Sequence, residues 1–151
     1  MKRPLEVDAS AAGALADIHA EAFCKPWPAQ EIASLMTGPQ ALGLADADPP
    51  RDAFLLARVM AGEAEILTLA VRPSARREGL GRALVEAAVE RLSGVNVEAL
   101  WLEVAEDNDP ARALYKGCGF QSVGRRAGYY LRGDGTRRDA VVMRRLLNPP
   151  A

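Results

Sequence analysis

Between Val71 and Ala88 the chain reads VRPSARREGLGRALVEAA, passing from an apolar segment through arginines and glycines into an apolar-periodic helix. Free amides at a helix start, together with the positive end of the helix dipole, form an anion site. Gly79 and Gly81 allow a close backbone approach with no Cβ in the way. Arg76, Arg77 and Arg82 could add charge-assisted contacts. A P-loop is excluded, because no Gly-Lys-Ser/Thr follows. A dinucleotide fingerprint is excluded too: its third glycine would fall at Leu84, and seven residues separate Val71 from Gly79. On these residues alone, a solvated arginine-rich turn before a glycine-capped helix is the plain alternative.

A second group of candidates lies in WLEVAEDNDPARALYKGCGF, from Trp101 to Phe120. Leu100, Leu102 and Val104 alternate with Trp101 and Glu103, so a strand's period of two sets Glu103 on the face opposite the leucines. Asn108 opens a helix whose inner stripe is Ala111, Leu114, Tyr115 and Cys118. A carboxylate can accept a proton and a phenol can donate one. Equally, Glu103 could be a solvated strand residue, Tyr115 a core aromatic and Asn108 only a helix cap. Cys118 reads as a core thiol, and His19, alone on an amphipathic helix, as structural or exposed rather than catalytic.

Composition narrows the setting. The chain has 151 residues, 49% hydrophobic and 26% charged, with a formal net charge of −1. That length suits one domain, expected over 1–151, and the charge gives no bulk attraction to nucleic acid or an anionic membrane. The start has no uninterrupted apolar region of signal-peptide type, and no run approaches a membrane span of about 18 residues. Two distant cysteines and one histidine make a structural metal site improbable, so no metal is expected. The reading is a cytoplasmic protein kept reduced.

Stepping outward to the elements, the spacing predicts helices over 9–23 and 29–36, then strands over 41–45, 53–60 and 64–71. A helix follows from about Gly79 to Gly94, with Leu80, Leu84, Ala87, Ala88 and Leu92 as its apolar stripe. A strand over 97–104, a helix from Asn108 to Gly117 and two strands, 119–126 and 139–147, around RGDGTRRD complete the chain. The order ααβββαβαββ implies an α/β protein with helices on a mixed sheet.

The pattern Arg76-x-x-Gly79-x-Gly81 after a strand ending in LAV resembles the acetyl-CoA pyrophosphate loop of the GCN5-related N-acetyltransferase (GNAT) superfamily. WLEV, Asn108, ALY, GF and the later GYY before an Asp-Gly hairpin are similar to its RimI-type branch, the ribosomal-protein-alanine N-acetyltransferases; AFCKPW around Trp27 also looks like it. The resemblance is strongest from Leu67 to Met143. It implies the GNAT fold, a mixed, mostly antiparallel sheet with a splayed pair of parallel strands, flanked by helices. It also implies acetyl-CoA as cosubstrate. Backbone groups of Leu69, Ala70 and Val71 would run beside the pantetheine arm. The turn Arg76, Arg77, Glu78, Gly79, Leu80, Gly81 and Arg82 would hold the pyrophosphate, Glu78 pointing to solvent. Asn108 would bind near the thioester, Glu103 would be the general base and Tyr115 the general acid. Trp27, Tyr129 and Tyr130 would form a peptide-binding wall.

The expected activity is acetylation of a protein N-terminal alanine, that of a small-subunit ribosomal protein. A GNAT acting on lysine or a small amine, and a CoA-binding regulatory subunit without turnover, are the alternatives. Many relatives carry an arginine and a serine after LEV, where this chain has Ala105, Glu106 and Asp107, an acidic loop near the presumed acceptor entrance.

Overall fold

The structure, a computed structural model, describes residues 3–131 and 134–147. Its elements are β1 (Leu5–Glu6), α1 (Ala12–Ala22), α2 (Ala29–Leu35), β2 (Ala41–Ala45), β3 (Ala53–Met60), β4 (Glu63–Val71), α3 (Leu80–Ser93), β5 (Ala99–Ala105), α4 (Asp109–Gly117), β6 (Gln121–Leu131) and β7 (Arg137–Leu146). The strands form one sheet in the order β1-β2-β3-β4-β5-β7-β6. Only β4 and β5 run parallel; every other neighbouring pair is antiparallel. This is the α/β, mostly antiparallel architecture expected from the chain.

The element that shapes the site is a bulge. Leu56 pairs with Thr68 and Ala57 with Ile66, which leaves Leu67 as an extra residue on β4. A bulge bends its strand and shifts which side chains face which way. Before it, Ala64 and Ile66 belong to the core under α3 and α4; after it, Ala70 belongs with Leu67 to the core under α1 and α2. The parallel pairing with β5 stops at the same place. It covers only Glu63, Ala64 and Glu65 against Ala99, Leu100 and Trp101, and the two strands diverge beyond it.

Two cores flank the sheet. Leu84, Val85, Ala88 and Leu92 of α3 pack on Leu55, Ala57, Leu100 and Leu102. Leu15, Ile18 and Ile32 from α1 and α2 pack on Phe54 and Leu56, all at most 2% exposed. Burying each such Leu, Ile or Phe side chain is worth about 1.5–3 kcal/mol, so both faces are firmly anchored. Among the described residues no helix is long and apolar enough to cross a membrane.

Several boundaries move relative to expectation. The short strand β1 was not anticipated; it pairs Leu5 and Glu6 with Ala45 and Leu44, too short a run for periodicity to reveal. β5 starts two residues later than expected, at Ala99. β6 and β7 run further toward their turn, to Leu131 and from Arg137, which puts Tyr129 and Tyr130 on a strand. Arg132 and Gly133 of the expected turn lie outside the described residues.

Candidate active site

At the open end of the β4–β5 gap the chain leaves β4, makes a 3-10 turn at Pro73–Ala75 and enters α3. Arg77 (φ +67°) and Gly79 (φ +81°) both adopt the left-handed conformation. The Arg76 N–H bonds to the Pro73 carbonyl and the Ala83 N–H to the Gly79 carbonyl. Between them, none of the amides from Arg77 to Arg82 finds an acceptor among the described residues. Consecutive free N–H groups in such a turn, with the helix dipole behind them, form an anion-binding nest.

The two glycines have different structural surroundings. A Cβ on Gly81 would lie 3.2 Å from Leu114 Cδ2, 3.8 Å from Val71 Cγ2 and 3.9 Å from Leu69 Cδ2. Gly81 therefore also lets α3 pack closely against α4 and β4. Gly79 supplies the left-handed turn. Nor do the arginines all reach outward. Arg76 Nε donates to the Val71 carbonyl (3.3 Å), and Arg82 pairs with Glu86 (2.9 Å). Glu78 is exposed, as expected.

Leu69, Ala70 and Val71 pair with β3 on one side only, since β5 has already diverged. Their other edge faces the gap with no strand to satisfy it. Asn108 caps α4, its side-chain oxygen accepting from the Ala111 N–H (3.2 Å), which leaves its amide donors for a ligand. Tyr115, 7% exposed, packs edge-on to Phe120. Burial, with smaller contributions from Tyr130 and Cys118, pushes the Tyr115 hydroxyl well above its ordinary pKa. Cys118, buried on the same helix, also has its thiol pushed up by burial. It is an inert core thiol at neutral pH.

Glu103 faces away from the leucines, as the alternation requires, onto a part of the sheet that no helix covers. Register rows define that surface. Arg58, Glu65, Trp101 and Arg144 stand side by side across β3, β4, β5 and β7, and Glu103 and Val142 form the next row. Of these, all but Arg144 line a pocket of about 330 Å³, together with Met60, Glu63 and Leu67. Arg126 Nη1 donates to both Glu103 carboxylate oxygens, at 2.9 and 3.2 Å. The Tyr130 hydroxyl donates to the Glu103 carbonyl (3.3 Å), and Tyr130 is pushed up to about 12, first by burial and then by Tyr129 and Glu103. Burial, then the Glu103 charge, raises the Glu65 carboxyl above its ordinary value, against Arg126 and Arg58.

The aromatic candidates split. Tyr129 and Tyr130 meet edge to face (5.1 Å) beside Glu103. Trp27 lies in the α1–α2 connection, stacked on His19 (4.9 Å), and its backbone N–H donates to His19 Nδ1 (3.1 Å). His19 is a structural histidine, as expected. The acidic loop is neutralised: Glu106 pairs with Arg125 (2.8 Å) and Asp107 with Arg138 (3.7 Å). Arg126 and Glu65 were missed. Arg126 is 23 residues from Glu103 in sequence, and only the sheet order joins them.

The chain matches the family model for the acetyltransferase (GNAT) family over residues 14–120. The chain belongs to this family. A curated relative, the ribosomal protein bS18-alanine N-acetyltransferase of Escherichia coli, is 43% identical over 91 residues, 60% of this chain. The match spans 61% of that relative's length. The crystal structure of the ribosomal-protein-S18-alanine N-acetyltransferase from Escherichia coli superposes with a TM-score of 0.91 at 32% identity, over 100% of this chain and 97% of that one. The Arabidopsis thaliana NAA60 structure with acetyl-CoA shares the fold, with a TM-score of 0.84 at 23% identity over 97% of this chain and 98% of that one. As a GNAT chain, this protein has its parallel strands splayed by the Leu67 bulge, with the amide nest at their open end. Among the described residues no cluster of His, Cys, Asp and Glu is arranged to hold a metal.

Proposed function

We propose that the protein is an acetyl-CoA-dependent N-acetyltransferase whose acceptor is the N-terminal alanine of a protein, a small-subunit ribosomal protein by its likeness to the relatives above. The observation that carries this reading is the amide nest from Arg77 to Arg82 at the open end of the gap, with Glu103 opening onto an uncovered pocket of the sheet. The free amides suit the pyrophosphate, and the edge of Leu69, Ala70 and Val71 that β5 leaves unpaired suits the amide-bearing pantetheine arm. Asn108 adds donors beside it.

An α-amine, with a pKa of about 7.7–8.0, is largely protonated near neutral pH and must lose a proton before it can attack. Glu103 accepts that proton, directly or through a water. The amine nitrogen then bonds to the thioester carbonyl carbon while the carbon–sulfur bond breaks. Tyr115, held protonated by burial, donates a hydrogen bond and then its proton to the departing thiolate, regaining one from solvent. The balance is one ammonium and one thioester giving one amide, one free thiol and one proton. Trp27 borders the α1–α2 side, and Tyr129 and Tyr130 the β6 side, of the acceptor approach.

Steady-state kinetics with an alanine-initiated peptide test this. Glu103→Gln should lower kcat by about 10²–10⁴-fold, and Tyr115→Phe should lower it as well, with folding unchanged by circular dichroism. Wild-type rates in both variants would overturn the assigned roles. A panel with lysine peptides and polyamines separates the N-terminal reading from its alternatives.

A further inference from the structure

Both carboxylate oxygens of Glu103 are occupied, and by a cation. Arg126 Nη1 lies 2.9 Å from one and 3.2 Å from the other. An amine can pass a proton directly to a carboxylate only from about 2.6–3.2 Å, the place this guanidinium now holds. The two partners are unequally anchored. The Glu103 side chain is 20% exposed and the Arg126 side chain 55%. With its arginine this open to water, such an ion pair is weak, so a competing cation can replace it.

The strand gives the same guanidinium a second, simultaneous contact. Arg126 pairs with Ala140 and Tyr130 with Arg138, so Ala127, Gly128 and Tyr129 bulge out of the ladder. Gly128, at φ +62°, turns the corner, and its N–H is pinned by Asp139 Oδ1 (2.9 Å). In a regular strand, residues three apart face opposite sides. Here the bulge brings the Tyr129 ring under Arg126, with Cζ 4.1 Å from the ring centroid. The ring quadrupole attracts a cation on its face, so Arg126 can release Glu103 and remain held.

The other groups facing Glu103 are Glu65 on β4, Arg58 on β3 and Tyr130 on β6. The Glu65 carboxylate feels the charge of Glu103 on one side and of Arg126 and Arg58 on the other. The pocket thus holds a second carboxylate close to the one that Arg126 covers. We propose that Arg126 is a resident stand-in for the acceptor's ammonium group. It covers Glu103 in the free protein and yields that carboxylate to the incoming amine while keeping its contact with the Tyr129 ring. This rests on the acetyltransferase reading above and assigns Arg126 as a positioning residue acting through Glu103.

The test is a double-mutant cycle on acceptor affinity, by calorimetry of an alanine-initiated peptide with the CoA-loaded protein. Arg126→Gln should tighten the peptide about two- to fivefold, the range an exposed ion pair allows. Arg126→Ala should act in the same direction, and Arg126→Lys should restore wild-type affinity. In a Glu103→Gln background, Arg126→Gln should have no effect. Unchanged or weaker binding in Arg126→Gln, or the same change with and without Glu103, would overturn the assignment while leaving the acceptor reading intact. If the alanine peptide fails to bind but a lysine peptide or polyamine binds and shows the cycle, the acceptor reading falls and Arg126 keeps its part. If no amine binds, both fall.

Discussion

His19 is the only histidine in the chain, and burial, 2% exposed, lowers its pKa from the ordinary 6.5. Its ring stacks between Phe23 (4.3 Å) and Trp27 (4.9 Å), and Nδ1 accepts the Trp27 N–H. The folded protein therefore prefers the neutral ring. As pH falls through about 6.5, the unfolded chain takes up this proton before the folded one does. The His19 contribution is present above that pH and is lost as pH falls toward the lowered folded value. Urea midpoints should drop between pH 7.5 and 5.5 by more in the wild type than in His19→Gln. Equal drops would show that the ring carries no such coupling.

At the scale of elements, the short strand β1 depends on one glycine of β2. The Val7 N–H bonds to the Gly43 carbonyl (3.0 Å). A Cβ on Gly43 would lie 2.8 Å from Met36 Cε and 2.9 Å from the Val7 carbonyl oxygen. Methionine can move aside, but a backbone carbonyl cannot do so without lifting β1. Gly43→Ala is expected to cost about 1–3 kcal/mol as an overpacking change, read from the urea midpoint. An unchanged midpoint would mean that β1 shifts freely. The β4 bulge acts on a larger scale, because the same extra residue, Leu67, that exchanges core faces coincides with the end of β5 pairing. The gap between β4 and β5 thus opens beside one inserted residue.

For the whole molecule, the amide nest belongs to α3, the bare edge to β4 and the Asn108 cap to α4, and Gly81 holds these three elements in contact. A ligand spanning them should stabilise the entire fold. Acetyl-CoA at about 100 times its Kd should add about 2.7 kcal/mol. That corresponds to a rise in Tm of roughly 5–10 °C for a domain of this size. ATP, which carries phosphates but no pantetheine, should give a smaller rise at equal concentration; an equal rise would deny the strand edge its part.

Much of this could be read from local pattern. The period of two placed Glu103 opposite the leucines, the helical period placed Tyr115 inward, and cap chemistry placed Asn108 at the start of α4. Such features depend on residues a few positions apart, whose relative orientation the strand or helix repeat dictates. The mixed, mostly antiparallel sheet followed from the element order together with the family likeness. Three things were decided only by the tertiary structure. Gly81 also serves helix packing, against Leu114, a neighbour distant in sequence. Leu67 became a bulge through its register with β3, which its own side chain does not announce. Arg126 came to rest on Glu103 because β7 inserts between β5 and β6 and a bulge turns Tyr129 beneath it. Contacts across sheet neighbours that are not consecutive in the chain leave no periodic trace, so the group that covers the candidate base became visible only once the strands were paired.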